Sequence, residues 1–174
     1  MTEHLLDAFI GLGSNLGAPL DALNRARREL ETIPGWRSHS WSSVYWTEPV
    51  GYREQNWFAN QVAWLEVPER STPQSVVQTL LEIEHHLGRV REERWGPRCI
   101  DLDLLFLGQW VTTTAEATVP HPYLHQRAFV LVPLAEIAPD RMVPKLNESA
   151  NQLLERIEYI RKGNRIWQKP KVQL

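Results

Sequence analysis

The stretch Arg94-Trp95-Gly96-Pro97-Arg98-Cys99-Ile100-Asp101-Leu102-Asp103-Leu104-Leu105-Phe106-Leu107 constrains this chain more than any other. Gly96-Pro97 breaks a preceding helix, and the residues after it alternate as a strand does. That alternation puts Cys99, Asp101, Asp103 and Leu105 on one face and Ile100, Leu102, Leu104 and Phe106 on the other. Residues two apart in a strand lie roughly 6.5–7 Å apart at Cα, so two carboxylates on one face can converge on cations about 3.5–4 Å apart, the spacing of two-metal phosphoryl-transfer sites. The plain alternative is a solvated face. Aspartate is a poor strand former, however, and two guanidinium groups with an indole between them arrive just upstream, which favours a site.

Charge supports a small anionic ligand. The formal net charge is −2, which argues against a generic nucleic-acid binder, yet Arg89, Arg91, Arg94 and Arg98 fall within ten residues of one another. At 174 residues the chain fits one domain that buries roughly 70% of its unfolded surface. The single cysteine excludes an internal disulfide, and Met-Thr-Glu-His lacks the basic and apolar regions of a signal peptide, so the cytoplasm is expected. No apolar run approaches the length of about 18 residues that would span a bilayer, and no membrane partner is expected.

Periodicity gives an α+β order. Ala8–Leu12 reads as a short buried strand closed by Gly13-Ser14-Asn15-Leu16-Gly17, a run that fails both the dinucleotide fingerprint, at Leu16, and the P-loop, at Ala18. A helix over 19–32 follows Pro19. Strands are predicted over 41–46 and 58–67, joined by the loop Thr47-Glu48-Pro49-Val50-Gly51. In the second of these Phe58, Asn60, Val62, Trp64 and Glu66 share one face and Ala59, Gln61, Ala63 and Leu65 the other. Thr72-Pro73 starts a helix over 73–87 that Gly88 ends. Glu84 lies in its apolar stripe, as a boundary salt bridge or near a ligand. A further short strand is expected at Trp110-Val111-Thr112, completing a βαββαββ order. Residues 118–123 are turn-rich, and 127–136 form a helical or irregular apolar segment. This order fits a single ferredoxin-like αβ sandwich over 1–158, an antiparallel sheet with helices packed on one face and additional C-terminal elements. The basic segment 159–174 receives no assignment.

The run Arg94-Trp95-Gly96-Pro97-Arg98-x-x-Asp101-Leu102-Asp103 resembles the signature of the 6-hydroxymethyl-7,8-dihydropterin pyrophosphokinases of folate biosynthesis. Gly11 to Leu16, Thr47 to Gly51, Phe58 to Asn60, Glu84 to Arg91 and Val119-Pro120-His121 are similar to further blocks in that family's order. The resemblance implies transfer of pyrophosphate from ATP to the pterin, with AMP as the second product. It implies that Asp101 and Asp103 hold two Mg²⁺ ions and that Arg89 and Arg98 are catalytic. Arg91, Arg94 and Trp95 would lie on a loop covering the nucleotide, and Glu84, Leu104, Thr118, His121 and Arg127 would complete the ATP set. Phe58 and Phe129 would stack the pterin, Asn60 would read its edge, and Thr47, Glu48 and Val50 would add main-chain hydrogen bonds. A monomer is expected. The chain departs from the family at Glu92, Leu81, Pro122 and Glu48, and its Arg91–Trp95 loop is one residue short. Competing readings are a catalytically weakened pterin- or nucleotide-binding homologue, a metal-dependent nucleotide-sugar transferase and a ferredoxin-like RNA binder. The last would need exposed sheet aromatics and a characteristic strand motif, neither of which is found.

Overall fold

The computed structural model describes residues 3–48, 56–88 and 99–169. Strand β1 (Leu5–Ser14) leads to helix α1 (Pro19–Glu31), which starts on a proline and buries Leu23, Ala26 and Leu30 along one stripe. Strands β2 (Arg37–Trp41), β3 (Tyr45–Thr47) and β4 (Phe58–Pro68) precede helix α2 (Pro73–His86). A reciprocal cap between Thr72 and Ser75 opens α2, and Val76, Leu80 and Ile83 form its buried stripe. Both helices fall within about a residue of the ranges predicted from periodicity.

Strand β5 (Asp101–Leu107) follows, then a separate ribbon of β6 (Thr112–Thr113) and β7 (Thr118–Val119), a 3-10 turn (Leu124–Gln126) and helix α3 (Ala128–Ile137). Strands β8 (Met142–Val143) and β9 (Glu148–Ser149), helix α4 (Ala150–Leu154) and the hairpin β10 (Ile160–Lys162) and β11 (Arg165–Trp167) end the described chain. The main sheet runs β10-β11-β3-β4-β1-β5, with β2 also on β4. Within it β3-β4-β1-β5 are antiparallel neighbours, the strand order of a ferredoxin-like sheet.

The two long helices pack on one face, against Ala8, Ile10 and Leu12 of β1, Ala63 and Leu65 of β4 and Leu102 and Leu104 of β5. The additional C-terminal elements take the opposite face, where α3 and α4 cover Phe9, Val62, Leu105 and Phe106. The faces of β4 follow the predicted alternation. Those of β5 do so from Asp101 to Leu105; Cys99, expected on the aspartate face, precedes the strand and packs against the helix-side core with Ile100. Phe9 pairs with Phe106 but Ile10 pairs with Leu104, so Leu105 is an extra residue in a β-bulge, and Phe106 joins Leu105 instead of lying opposite it.

Two other expectations change in detail. The strand expected over 41–46 is broken, because Ser42 substitutes a side chain for the ladder: the Val62 N–H donates to Ser42 Oγ at 2.9 Å and Gln61 Nε2 donates to the Ser42 carbonyl at 2.7 Å. The strand expected at 110–112 starts at Thr112 and pairs with β7, apart from the main sheet.

The segment after residue 158 docks on the sheet edge, β11 lying parallel to β3 with Arg165 opposite Trp46 and Ile166 opposite Thr47. A polar knot fastens it. Tyr45 Oη donates to Glu136 Oε2, Ser43 donates from N and Oγ to Glu136 Oε1 at 2.9 Å, and Arg161 Nη2 donates to Tyr45 Oη at 3.4 Å. Burial pushes the Tyr45 hydroxyl up to about 12, helped by the hydrogen bond and the charge of Glu136. Burial opposes the charge on Glu136, but the bonds from Tyr45 and Ser43 and the nearby Arg161 more than offset it, and its carboxyl lies below its ordinary range. A depressed carboxyl stabilises the fold above its unfolded pKa and ceases to do so as pH falls through the folded one; the raised Tyr45 contributes below about pH 10 and stops as pH climbs toward about 12. The melting difference between wild type and Glu136→Gln is therefore expected to be full near neutrality and to close in acid. A gap independent of pH in melts across that range would contradict the knot.

Candidate active site

The face that α3 covers is apolar at one end of the sheet and polar at the other. Strand register builds the polar end directly. Asn60 pairs with Gly13, and Gly13 pairs with Asp101, so these three residues form one row across β4, β1 and β5. In the next row on that face, Val62, Gly11 and Asp103 align. Neighbouring strands are about 4.8 Å apart, which puts the Asn60 and Asp101 backbones about 10 Å from each other. Because β1 contributes only glycines here, no side chain stands between the amide and the carboxylates. A β-carbon on Gly13 would come to 3.3 Å from Asn60 Oδ1, and one on Gly11 to 3.4 Å from Leu105 Cδ2.

Asn60 is 6% exposed. Its Nδ2 donates to Thr47 Oγ1 at 2.8 Å, and Thr47 pairs with Phe58 across β3 and β4. Phe58 is half-buried at the start of β4 and Glu48 is exposed just after β3. The end of β1 fixes both neighbours of this row: Ser14 Oγ donates to the Cys99 carbonyl at 2.6 Å, ahead of Asp101, and Asn15 Nδ2 donates to the Asn56 carbonyl at 3.2 Å, ahead of Phe58.

The bulge brings in the next group. Leu105 turns its carbonyl out of the ladder to accept the His121 N–H at 2.7 Å. His121 Nδ1 in turn accepts the Tyr123 N–H at 3.1 Å, so the neutral ring carries its proton on Nε2. Burial lowers the His121 pKa to about 4, with the Arg127 charge acting in the same direction and Asp101 against it. His121 is therefore a neutral donor at physiological pH, and Asp101 and Arg127 are its electrostatic neighbours. The Arg127 guanidinium lies 5.2 Å from the Tyr123 ring centre and 5.5 Å from that of Phe129, at the N-terminus of α3.

Asp101 and Asp103 are half-buried and share the open face. Among the described residues no group of three or more His, Cys, Asp or Glu side chains forms a ready-made metal cage. Two carboxylates beside two glycines fit a hard cation that takes its remaining oxygens from ligand phosphates and water.

This arrangement accompanies a clear set of relationships. The model of the 7,8-dihydro-6-hydroxymethylpterin-pyrophosphokinase (HPPK) family matches residues 9–139. The chain belongs to the HPPK family. Relatives named 2-amino-4-hydroxy-6-hydroxymethyldihydropteridine pyrophosphokinase include that of Synechocystis, 42% identical over 87% of this chain and 76% of its own length. Those of Methylorubrum extorquens, 43% identical over 78% of this chain and 85% of its own length, and of Bacillus subtilis, 38% over 92% and 89%, are similar. Among solved structures, wild-type Plasmodium falciparum HPPK-DHPS with pteroate superposes with a TM-score of 0.67 at 12% identity, over 95% of this chain and 48% of that one. This chain thus spans about half of that longer protein, and the likeness is one of fold.

Of the residues expected at the site, strand pairing and hydrogen bonds bring together Thr47, Phe58, Asn60, Asp101 and Asp103; His121 is an electrostatic neighbour of Asp101 and Arg127, while Thr118 lies on β7 and Phe129 follows Arg127 at the start of α3. Two residues from the expected ATP set have side chains on the side of the sheet that α1 and α2 cover. Glu84 is 3% exposed on the opposite side of the sheet, where its Oε1 accepts the Leu102 N–H at 2.7 Å. It holds the strand between the two aspartates. The Leu104 side chain is likewise buried under α2. Arg89, Arg91, Arg94, Trp95, Arg98 and Val50 lie outside the described residues. Gly11 and Gly13, which leave the floor open, and Ser14 and Asn15, which brace its row, carry no predicted role; their signal in the sequence is the dense Gly11-to-Leu16 run, one of the blocks similar to the family's.

Proposed function

We propose that this chain transfers the pyrophosphoryl group of ATP to 6-hydroxymethyl-7,8-dihydropterin as a step of folate biosynthesis, at the row that joins Asn60 to Asp101 through Gly13. HPPK membership and the names of its relatives support the reaction. The single-glycine separation supports the placement, because it puts an amide suited to a heterocycle edge and carboxylates suited to a polyphosphate on one side-chain-free floor. Asn60 and Thr47, with the backbone at Glu48 and Val50, orient the pterin between Phe58 and Phe129. Asp101 and Asp103 would hold two Mg²⁺ ions, which would supply charge neutralisation for a loose phosphoryl transition state. Arg89 and Arg98 add guanidinium forks to the transferred group, with Arg91, Arg94 and Trp95 over the nucleotide. His121 contributes a neutral Nε2–H donor toward phosphate oxygen, and Thr118 and Arg127 contact the same ligand. Glu84 and Leu104 serve from beneath, as supports for β5.

The weakened homologue is not favoured, because the relatives carry the enzyme's name throughout. A monomer acting in the cytoplasm, without nucleic acid or membrane, completes the proposal. Among the described residues no helix is long and apolar enough to cross a bilayer.

Which bond of ATP breaks is the test. Purified protein incubated with ATP, magnesium and the pterin is expected to give AMP and pterin diphosphate in equal amounts, and EDTA is expected to stop the reaction. ADP in place of AMP would mean attack at the γ-phosphorus by an ordinary kinase. No pterin-dependent product would return the weakened homologue.

A further inference from the structure

The family match ends at residue 139, yet the chain continues into a hairpin whose contacts lead back to both sides of the proposed pterin site. On one side, β11 pairs with β3 at Trp46 and Thr47, the residue whose hydroxyl holds the Asn60 amide. The Trp167 ring meets Trp57, next to Phe58, edge-on at 5.4 Å, and Arg165 lies 5.7 Å over the same indole. On the other side is the start of α3. Ala128 is the first residue of that helix, so its N–H is one of those a helix cannot pair internally, and the N-cap Arg127 side chain does not cap the helix. Gln168 supplies the missing cap from 40 residues away: the Ala128 N–H donates to Gln168 Oε1 at 2.7 Å, while Gln168 Nε2 donates to the Gln126 carbonyl at 2.8 Å. One amide therefore closes the end of the 3-10 turn and the first turn of α3 together, on either side of Arg127 and immediately before Phe129.

We infer that Gln168 is a positioning residue for pterin binding, acting through the N-terminus of α3 to set Phe129 against Phe58 and Asn60. The inference rests on the proposed pterin site and goes beyond it, since the two hydrogen bonds of Gln168 run to Ala128 and Gln126, neither of them given to the ligand. Physically, the cap removes a choice. With Ala128 unpaired the first turn of α3 is free to fray, and the stacking ring at its second position loses its fixed distance from the opposite wall.

Pterin titrations followed by fluorescence, run well below each variant's melting midpoint, test this with wild type, Gln168→Met, Gln168→Glu and Asn60→Ala. Methionine keeps the length of the side chain and removes both hydrogen bonds; its pterin Kd is expected to rise about five- to tenfold, the size of one lost hydrogen bond. Glutamate retains the acceptor for the Ala128 N–H at a helix N-terminus but sets an oxygen in place of the donor to the Gln126 carbonyl, so its Kd is expected to fall between those of wild type and Gln168→Met. A Gln168→Met protein that binds like wild type overturns the inference, as does a Glu variant clearly weaker than Met. Asn60→Ala separates the two levels. If it loses affinity while Gln168→Met does not, the pterin site stands and the role of Gln168 falls; if wild type itself binds no pterin, the site falls and the inference with it.

Discussion

Asp101→Ala and Asp103→Ala are each expected to lower turnover by roughly 10³-fold or more while leaving the protein folded. Cation stabilisation of a developing phosphoryl charge is worth several kcal/mol, and each 1.4 kcal/mol is about tenfold in rate. The fold should tolerate the change because both side chains are half-exposed at the polar end of β5, whereas the strand itself is held by Leu102 and Leu104 in the core and by the bond from the Leu102 N–H to Glu84. Shaving a partly exposed side chain away from the core costs little stability, so melting midpoints should stay within a few degrees of wild type. Steady-state rates and thermal melts on the same preparations decide the matter. Either variant retaining near-normal turnover in magnesium would remove that aspartate from the reaction.

Gly13→Val should have the second-largest effect, by a different route. Gly13 does not occupy a left-handed backbone conformation, and valine is a favourable strand residue, so β1 has no conformational reason to reject it. Space is what it lacks. Even a single β-carbon would stand 3.3 Å from Asn60 Oδ1, and the two methyl groups of valine would rise on the floor between the amide and Asp101. Displacing reacting groups by about 1 Å costs on the order of 10²-fold in rate, and that is the expected loss in kcat, with Gly13→Ala clearly milder. Turnover by Gly13→Val within a few-fold of wild type would show that substrates do not cross this glycine.

How much of this was legible in the sequence depended on whether neighbouring residues differ in polarity. The alternation Asp101-Leu102-Asp103-Leu104 gave the faces of β5 correctly, as Phe58-Ala59-Asn60 did for β4, because a register error there would bury a charge or an amide. From Leu104 to Leu107 every residue is apolar, so nothing marks the bulge at Leu105, although the bulge is what lets β5 receive His121. The break at Ser42 was hidden for a related reason: a serine hydroxyl replaces a ladder bond without altering the pattern of side chains. Glu84 carried a real signal, a carboxylate in an apolar stripe, but its bond to the Leu102 N–H is to a backbone group, which has no letter in the sequence. Gln168 carried none, since its two bonds run to main-chain atoms some 40 residues away.

The parallel pairing of β11 with β3 has a consequence for the molecule's solubility. Strand β3 is one of the two ends of the ferredoxin-like part of the sheet, and without the hairpin its outer N–H and C=O groups at Trp46 and Thr47 would face water as a ready template for another chain. The hairpin occupies that template and presents instead a short, strongly basic rim of Arg161, Lys162 and Arg165, all exposed. Like charges on two such rims repel. The hairpin that carries Gln168 to the start of α3 is thus also placed to guard the sheet against self-association, and a chain trimmed to its family-matched portion would lose both the edge cover and the Gln168 cap at once.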